Sequence, residues 1–205
     1  MTNKWLWIGA IILLFSAFLA WLFVESSKPL LGTKMSDLGR KHVPVGEKVE
    51  YNSNPPTSGS HYEDWVRFGI YSEPKDDGNL VHSLEHGYVI LSYNCDKRVQ
   101  GSKLVRRAYA HGTEEEASPS AEATGSGALS ESFKLDQCHK LVDQLITVYE
   151  KKGKTRIIVV PRPNLDFRIA LTAWTYLDKF DQFDQTRIEK FIDAHLNQGP
   201  EKTME

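Results

Sequence analysis

Residues 82–86 read His-Ser-Leu-Glu-His and run through Gly87 into the stretch Tyr-Val-Ile-Leu-Ser-Tyr at 88–93. Two imidazoles four positions apart can act together only on the right backbone. On a strand they share a face but stand about 13 Å apart, at about 3.3 Å per residue. On a helical turn they stack about 6 Å apart, and both nitrogens can lie about 2 Å from one ion. A metal-binding role for His82 and His86 therefore predicts a helical turn over 80–86. Gly87 would close it as a left-handed cap before the strand begins.

A closed metal site takes four ligands. Among the seven histidines of the chain, His61 and His42 are the best further candidates. His61 follows the stretch "NSNPPTSGS" at 52–60. Its consecutive prolines remove two amide donors and restrict the residue before them, so this segment is a rigid loop. His42 sits in "GRKHV". His111, His139 and His195 read as surface residues. A set of His42, His61, His82 and His86 suits copper(II) or zinc(II), with Glu85 orienting an imidazole from outside the ligand shell.

Two other readings stay open. In a metal-dependent hydrolase three histidines would hold the ion, water would take the fourth position and Glu85 would be the general base. "HSLEH" does spell the inverted zinc-protease pattern, but that pattern needs a full helix and a third ligand downstream. Alternatively, the histidines are packing and hydrogen-bonding residues of a structural or interaction domain that binds no metal.

The elements that must position these residues suit an α+β chain. "KVEY" at 48–51 and "WVRFGIYS" at 65–72 read as short strands, and "YVILSY" at 88–93 and "RIIVVPRP" at 156–163 as buried ones. Residues 132–153 carry Leu135, Cys138, Leu141, Val142, Leu145 and Val148 at helical spacing, with Gly153 at the end. Residues 168–180 and 184–199 read as two further helices, the second capped by Asp184. The acidic, small-residue segment 112–132 buries too little apolar area to order itself and reads as a disordered insertion.

The chain of 205 residues carries a net charge of -2, which gives no electrostatic case for nucleic acid. The basic cluster "KLVRRAYAH" at 103–111 reads as a solvated face. Residues 5–24, "WLWIGAIILLFSAFLAWLFV", are apolar throughout, with tryptophans at both ends. Such a run forms a helix of about 30 Å, enough to cross a bilayer. It is longer than the apolar core of a cleaved signal peptide and lacks a cleavage site after it. The expected organisation is a transmembrane anchor over 1–25, a linker over 26–41 and one soluble domain over 42–201. The anchor would engage membrane lipid in a single pass of the cytoplasmic membrane, with the domain outside.

Cys95 and Cys138 are the only two cysteines. An even number in an extracytoplasmic setting, without C-x-x-C spacing, favours a disulfide over two buried thiols. Such a bond would close a loop of 43 residues, worth roughly 4 kcal/mol on the chain-entropy model.

Together, "VEYNSNPPTSGSHY", "LVHSLEHGYVILSYNC", "LTAWTYLDKF" and "FIDAHLNQGPE" make the chain similar to the domain-of-unknown-function family numbered 3105, a family of membrane-anchored prokaryotic proteins. The resemblance spans about residues 40 to 201. It implies that Gly59, His61, His82, Glu85, His86 and Gly87 belong to one site, and it supplies no reaction.

Overall fold

Strands β3 (Val89–Tyr93) and β4 (Ile157–Pro161) are buried at every position, and both lie inside the sheet. β4 is a continuous apolar run and β3 is interrupted only by Ser92, the composition expected of strands covered on two faces. They pair in parallel, Val89 opposite Ile157, with helix α3 (Asp136–Lys151) lying between them in the chain. The computed structural model describes residues 4–26, 31–97 and 129–203. Its six-stranded mixed sheet has the order β1-β6-β5-β3-β4-β2, where β1 is Thr33–Lys34, β2 Gly69–Ile70, β5 Ile169–Ala173 and β6 Tyr176–Phe180. The α+β class expected from the sequence is what forms.

Alternation along the strands sends side chains to two different cores. Val89, Leu91 and Tyr93 of β3, with Ile157 and Val159 of β4, pack on Leu141, Leu145 and Val148 of α3. Ile188, Phe191 and Ile192 of α4 (Gln185–His195) join the same cluster. The other set, Ile90, Ile158 and Val160, packs on Leu80, Val81 and Leu84 of α2 (Asp77–Glu85). That second core is the floor on which the histidine cluster stands.

Several elements differ from those the sequence predicts. Residues 168–180 are a β-hairpin, not a helix: β5 and β6 pair antiparallel through a tight turn with Thr175 at φ 61°. All five residues of β5 are buried: Ile169, Leu171 and Ala173 pack in the core with α3 and α4, and Ala170 packs with Leu165 and Leu177 in another cluster. A run covered on both faces carries no period by which a strand could be told from a buried helix. The stretch 48–51 forms no strand, and 65–72 contributes only Gly69–Ile70. Helix α4 is capped by Asp184 as expected, its Oδ1 accepting from Arg187 N at 3.0 Å. It stops at His195 and not at Gly199; Asn197, at φ 62°, turns the chain. His195 is buried, not on the surface.

Cys95 and Cys138 are joined as a disulfide that ties the end of β3 to α3. The basic cluster 103–111 and most of the insertion 112–132 lie outside the described residues. The last part of that insertion enters a short 3-10 turn, Glu131–Lys134, which buries Phe133.

Residues 1–30 and 31–205 are separate compact units. In the first, helix α1 (Lys4–Ser26) forms where the apolar run predicts a helix. Among the described residues, however, no helix is long and apolar enough to cross a membrane. In the second unit, residues 33–34, within the segment read as linker, add β1 to the sheet edge beside β6.

Candidate metal centre

Helix α2 is the element that places His82, Glu85 and His86. It extends further toward the N-terminus than the expected turn and ends where Gly87, at φ 82°, donates its N–H to Leu84 O at 2.9 Å. Its N-terminus is held by a two-pronged ion pair from Arg162 to Asp77, at 2.5 and 3.0 Å. With Leu80, Val81 and Leu84 committed to the sheet, His82, Glu85 and His86 occupy another stripe of the helix. All three are nonetheless buried, because loops cover them.

The proline loop is the principal cover. Thr57 and Ser58 are fully buried. The Thr57 carbonyl accepts from Thr175 N at 2.9 Å, and Ser58 Oγ accepts from Leu38 N at 3.0 Å. Segments 39–43 and 59–61 then run side by side. Gly59 N donates to Gly39 O at 3.0 Å, His61 N to Lys41 O at 3.0 Å, and Val43 N to His61 O at 2.9 Å. This parallel bridge puts His42 next to His61.

The rings of His42, His61 and His82 form a nearly equilateral triangle, with centroids 4.8, 4.9 and 5.0 Å apart. Three imidazoles bound tetrahedrally to one ion, with nitrogens about 2 Å from it, would have centroids roughly 5 Å apart. One nitrogen or oxygen from each of His42, His61, His82 and Glu85 falls within a group no wider than 4.8 Å.

The hydrogen bonds assign the ring nitrogens. His61 Nδ1 is 2.8 Å from Gly59 O, and His82 Nδ1 is 2.8 Å from Tyr62 O. A carbonyl only accepts, so in both rings Nδ1 carries a proton and Nε2 presents the lone pair. This arrangement, a backbone carbonyl fixing the tautomer of a ligand, is usual behind metal-bound imidazoles. Burial, followed by the nearby His86 and His61, pushes the His82 pKa down to about 4, against a smaller upward pull from its hydrogen bond to Tyr62. His82 is therefore neutral at pH 7.

His61 Nε2 and Glu85 Oε2 are 2.7 Å apart, yet both are buried without a hydrogen-bond partner. The approach is short enough for a hydrogen bond, but with the His61 proton on Nδ1 both facing atoms present lone pairs. The other carboxylate oxygen, Oε1, accepts from Arg40 Nη1 at 3.3 Å.

His86 stands apart from this four-residue group. It falls in a second one with His82 and Glu201. Its ring centroid is 4.6 Å from that of His82, and its Nε2 is 3.6 Å from Glu201 Oε2. The four histidines expected from the sequence thus come together, but in two overlapping groups that share His82. Glu85 stands with the donors, not behind them. Glu201, Arg40 and the ring of Trp65, 4.7 Å from His86, were not among the sequence candidates. No spacing rule links Glu201 to residue 86; the only sign was its place in the "FIDAHLNQGPE" motif.

Fold and cluster together define a small α+β domain carrying a histidine–carboxylate group in which His61, His82, Glu85 and His86 are buried and His42 and Glu201 are exposed. The chain belongs to the family described as "Protein of unknown function (DUF3105)", whose model matches residues 42–205. No curated protein matches the chain. No solved structure matches it either.

Proposed function

We propose that this domain binds one divalent transition-metal ion through His42, His61, His82 and Glu85, and that its role is metal binding or handling. The observation that carries the reading is the pair His61 Nε2 and Glu85 Oε2: two buried polar atoms, 2.7 Å apart, neither with a hydrogen-bond partner. Orphaned buried polar groups are costly. A cation between them removes that cost, and the fixed tautomers of His61 and His82 turn two further lone pairs to the same use. Three imidazoles and one carboxylate make a borderline donor set suited to zinc(II) or copper(II).

The hydrolase reading is weaker on the same grounds. As general base, Glu85 would have to stand outside the ligand shell, but it lies among the ligand atoms and is tied to Arg40.

We place the domain outside the cytoplasmic membrane, tethered by α1. Two features support this: the apolar run 5–24 with its terminal tryptophans, and the Cys95–Cys138 disulfide, which persists in an oxidising compartment. Carbonate extraction of membranes from cells making the full chain should leave it in the pellet. Release into the supernatant would remove the anchor.

Metal analysis of the full chain, purified in detergent without chelators, tests the central claim. About one equivalent of zinc or copper should remain bound, falling to background in His61→Ala. A wild-type protein that binds neither ion in titration would overturn it.

A further inference from the structure

His82 belongs to both donor groups, and it has only one lone pair to offer because Nδ1–H is committed to Tyr62 O. Two ions cannot share that nitrogen. The groups His42/His61/His82/Glu85 and His82/His86/Glu201 are therefore alternative seats for a single ion.

The two seats differ in what surrounds them. Beside the four-residue seat stands the Arg40 guanidinium, its side chain 51% exposed, 3.3 Å from Glu85 Oε1. An incoming cation on that side meets a fixed positive charge. The other seat has the carboxylate of Glu201, 47% exposed, with His86 beside it, 4% exposed. Each seat has one exposed member, His42 in the first and Glu201 in the second. The difference is charge: an exposed carboxylate raises the local concentration of a hydrated cation, whereas the imidazole of His42 brings no negative charge and stands in the seat beside Arg40.

Resting on the metal-binding reading above, we propose that His82, His86 and Glu201 form an entry and exit position for that ion. Glu201 and His86 capture the aquated ion from solvent. His82 Nε2 takes it over, and the ion then swings about that one bond into the group of His42, His61 and Glu85. The bonds to Glu201, His86 and the last bound water break as those to His42, His61 and Glu85 form, and the water leaves to solvent. Charge is conserved, because one carboxylate replaces another. The Glu201 backbone N–H donates to Glu85 O at 3.1 Å, so the entry carboxylate is pinned to the helix end that carries the resident one.

An entry position that is not the resting seat alters rates and leaves the equilibrium alone. The test uses the full chain and cobalt(II), whose visible d–d spectrum reports a resident nitrogen–oxygen site. Association is followed by stopped flow, and removal by excess chelator. Glu201→Gln should slow both rates by about tenfold, within the range of local electrostatic steering, and leave Kd and the spectrum unchanged. The slowing should also shrink as ionic strength rises. Unchanged rates in Glu201→Gln would overturn the entry position while cobalt binding itself upheld the metal site. A large rise in Kd with an altered spectrum would make Glu201 a resident ligand and would equally overturn it. Glu201→Asp, which keeps the charge, should recover most of the wild-type rate; failure to do so would assign the slowing to local structure and count against the proposal. A wild-type chain that binds neither cobalt nor zinc would overturn both readings together.

Discussion

Gly199 packs directly on Gly87: a Cβ at residue 199 would stand 2.2 Å from Gly87 N and 2.1 Å from Glu85 O. No side chain fits between the two backbones. Through this contact the segment after α4 clamps the end of α2, with Asn197 N donating to Gly87 O at 2.8 Å. Arg156 Nη1 donates to His86 O at 2.9 Å beside it. The donor groups are thus held by chain from both ends of the domain.

Gly199→Ala should accordingly be costly although it adds a single methyl. Overpacking of this kind costs about 3 kcal/mol, and here the obstacle is backbone, which cannot rotate away. Urea denaturation should show the loss. Metal affinity should fall in the same variant, because the clash is with the residue carrying the Glu85 carboxylate. A variant within about 0.5 kcal/mol of wild type would show that the two segments separate freely.

Glu85→Gln separates a metal ligand from a supporting carboxylate. Loss of a supporting group behind a ligand costs about 10- to 100-fold in affinity. Removal of a ligand and its charge should exceed that. Competition titration with a chromophoric chelator should therefore show a drop of more than about 100-fold. A drop of only about 10- to 100-fold would return Glu85 to the supporting role first expected of it.

Stability should fall on acidification, and part of the slope belongs to His195. Its Nε2–H donates to Leu31 O at 2.7 Å, and its ring lies 4.3 Å from Tyr176 and 4.4 Å from Phe191. Burial lowers its pKa, with the bond to Leu31 opposing. Below about pH 6.5 the unfolded chain takes up a proton that the folded chain refuses. The contribution is therefore complete above that pH and is lost as the pH falls from there toward the lowered folded value. His82 adds a slope of the same sign. Metal-free protein denatured at pH 7.5, 6.5 and 5.5 should lose stability stepwise, and His195→Gln should flatten the profile. An equally steep profile in the variant would remove His195 from the account.

The disulfide can be tested without touching the site. A thiol titration of the denatured, unreduced chain should find no free thiol. Cys95→Ser with Cys138→Ser should cost roughly 4 kcal/mol, the loop-closure entropy of the 43 residues between them. Metal affinity should be unchanged, since the bond joins β3 to α3 and the donors stand on the opposite core.

Much was decided locally, and local features are what a sequence displays. The i,i+4 pair His82 and His86, the left-handed Gly87 and the strand after it follow from helical geometry and from the freedom of glycine at positive φ. The prolines before His61 specify a stiff loop for the same kind of reason. Periodicity over 132–153 and the Asp184 cap were likewise enough to place α3 and the start of α4. Residues 168–180 were not legible, because β5 is packed on both faces and such a strand needs no alternation. The division of the histidines into two groups was not legible either. It depends on a parallel bridge between segments 39–43 and 59–61, and on residues 197–201 returning to α2 from the far end of the chain. Glu85 and His86 are neighbours of equal standing in the sequence. The tertiary structure turns one toward His61 and the other toward Glu201, because packing from two distant segments decides which side of the helix each donor faces.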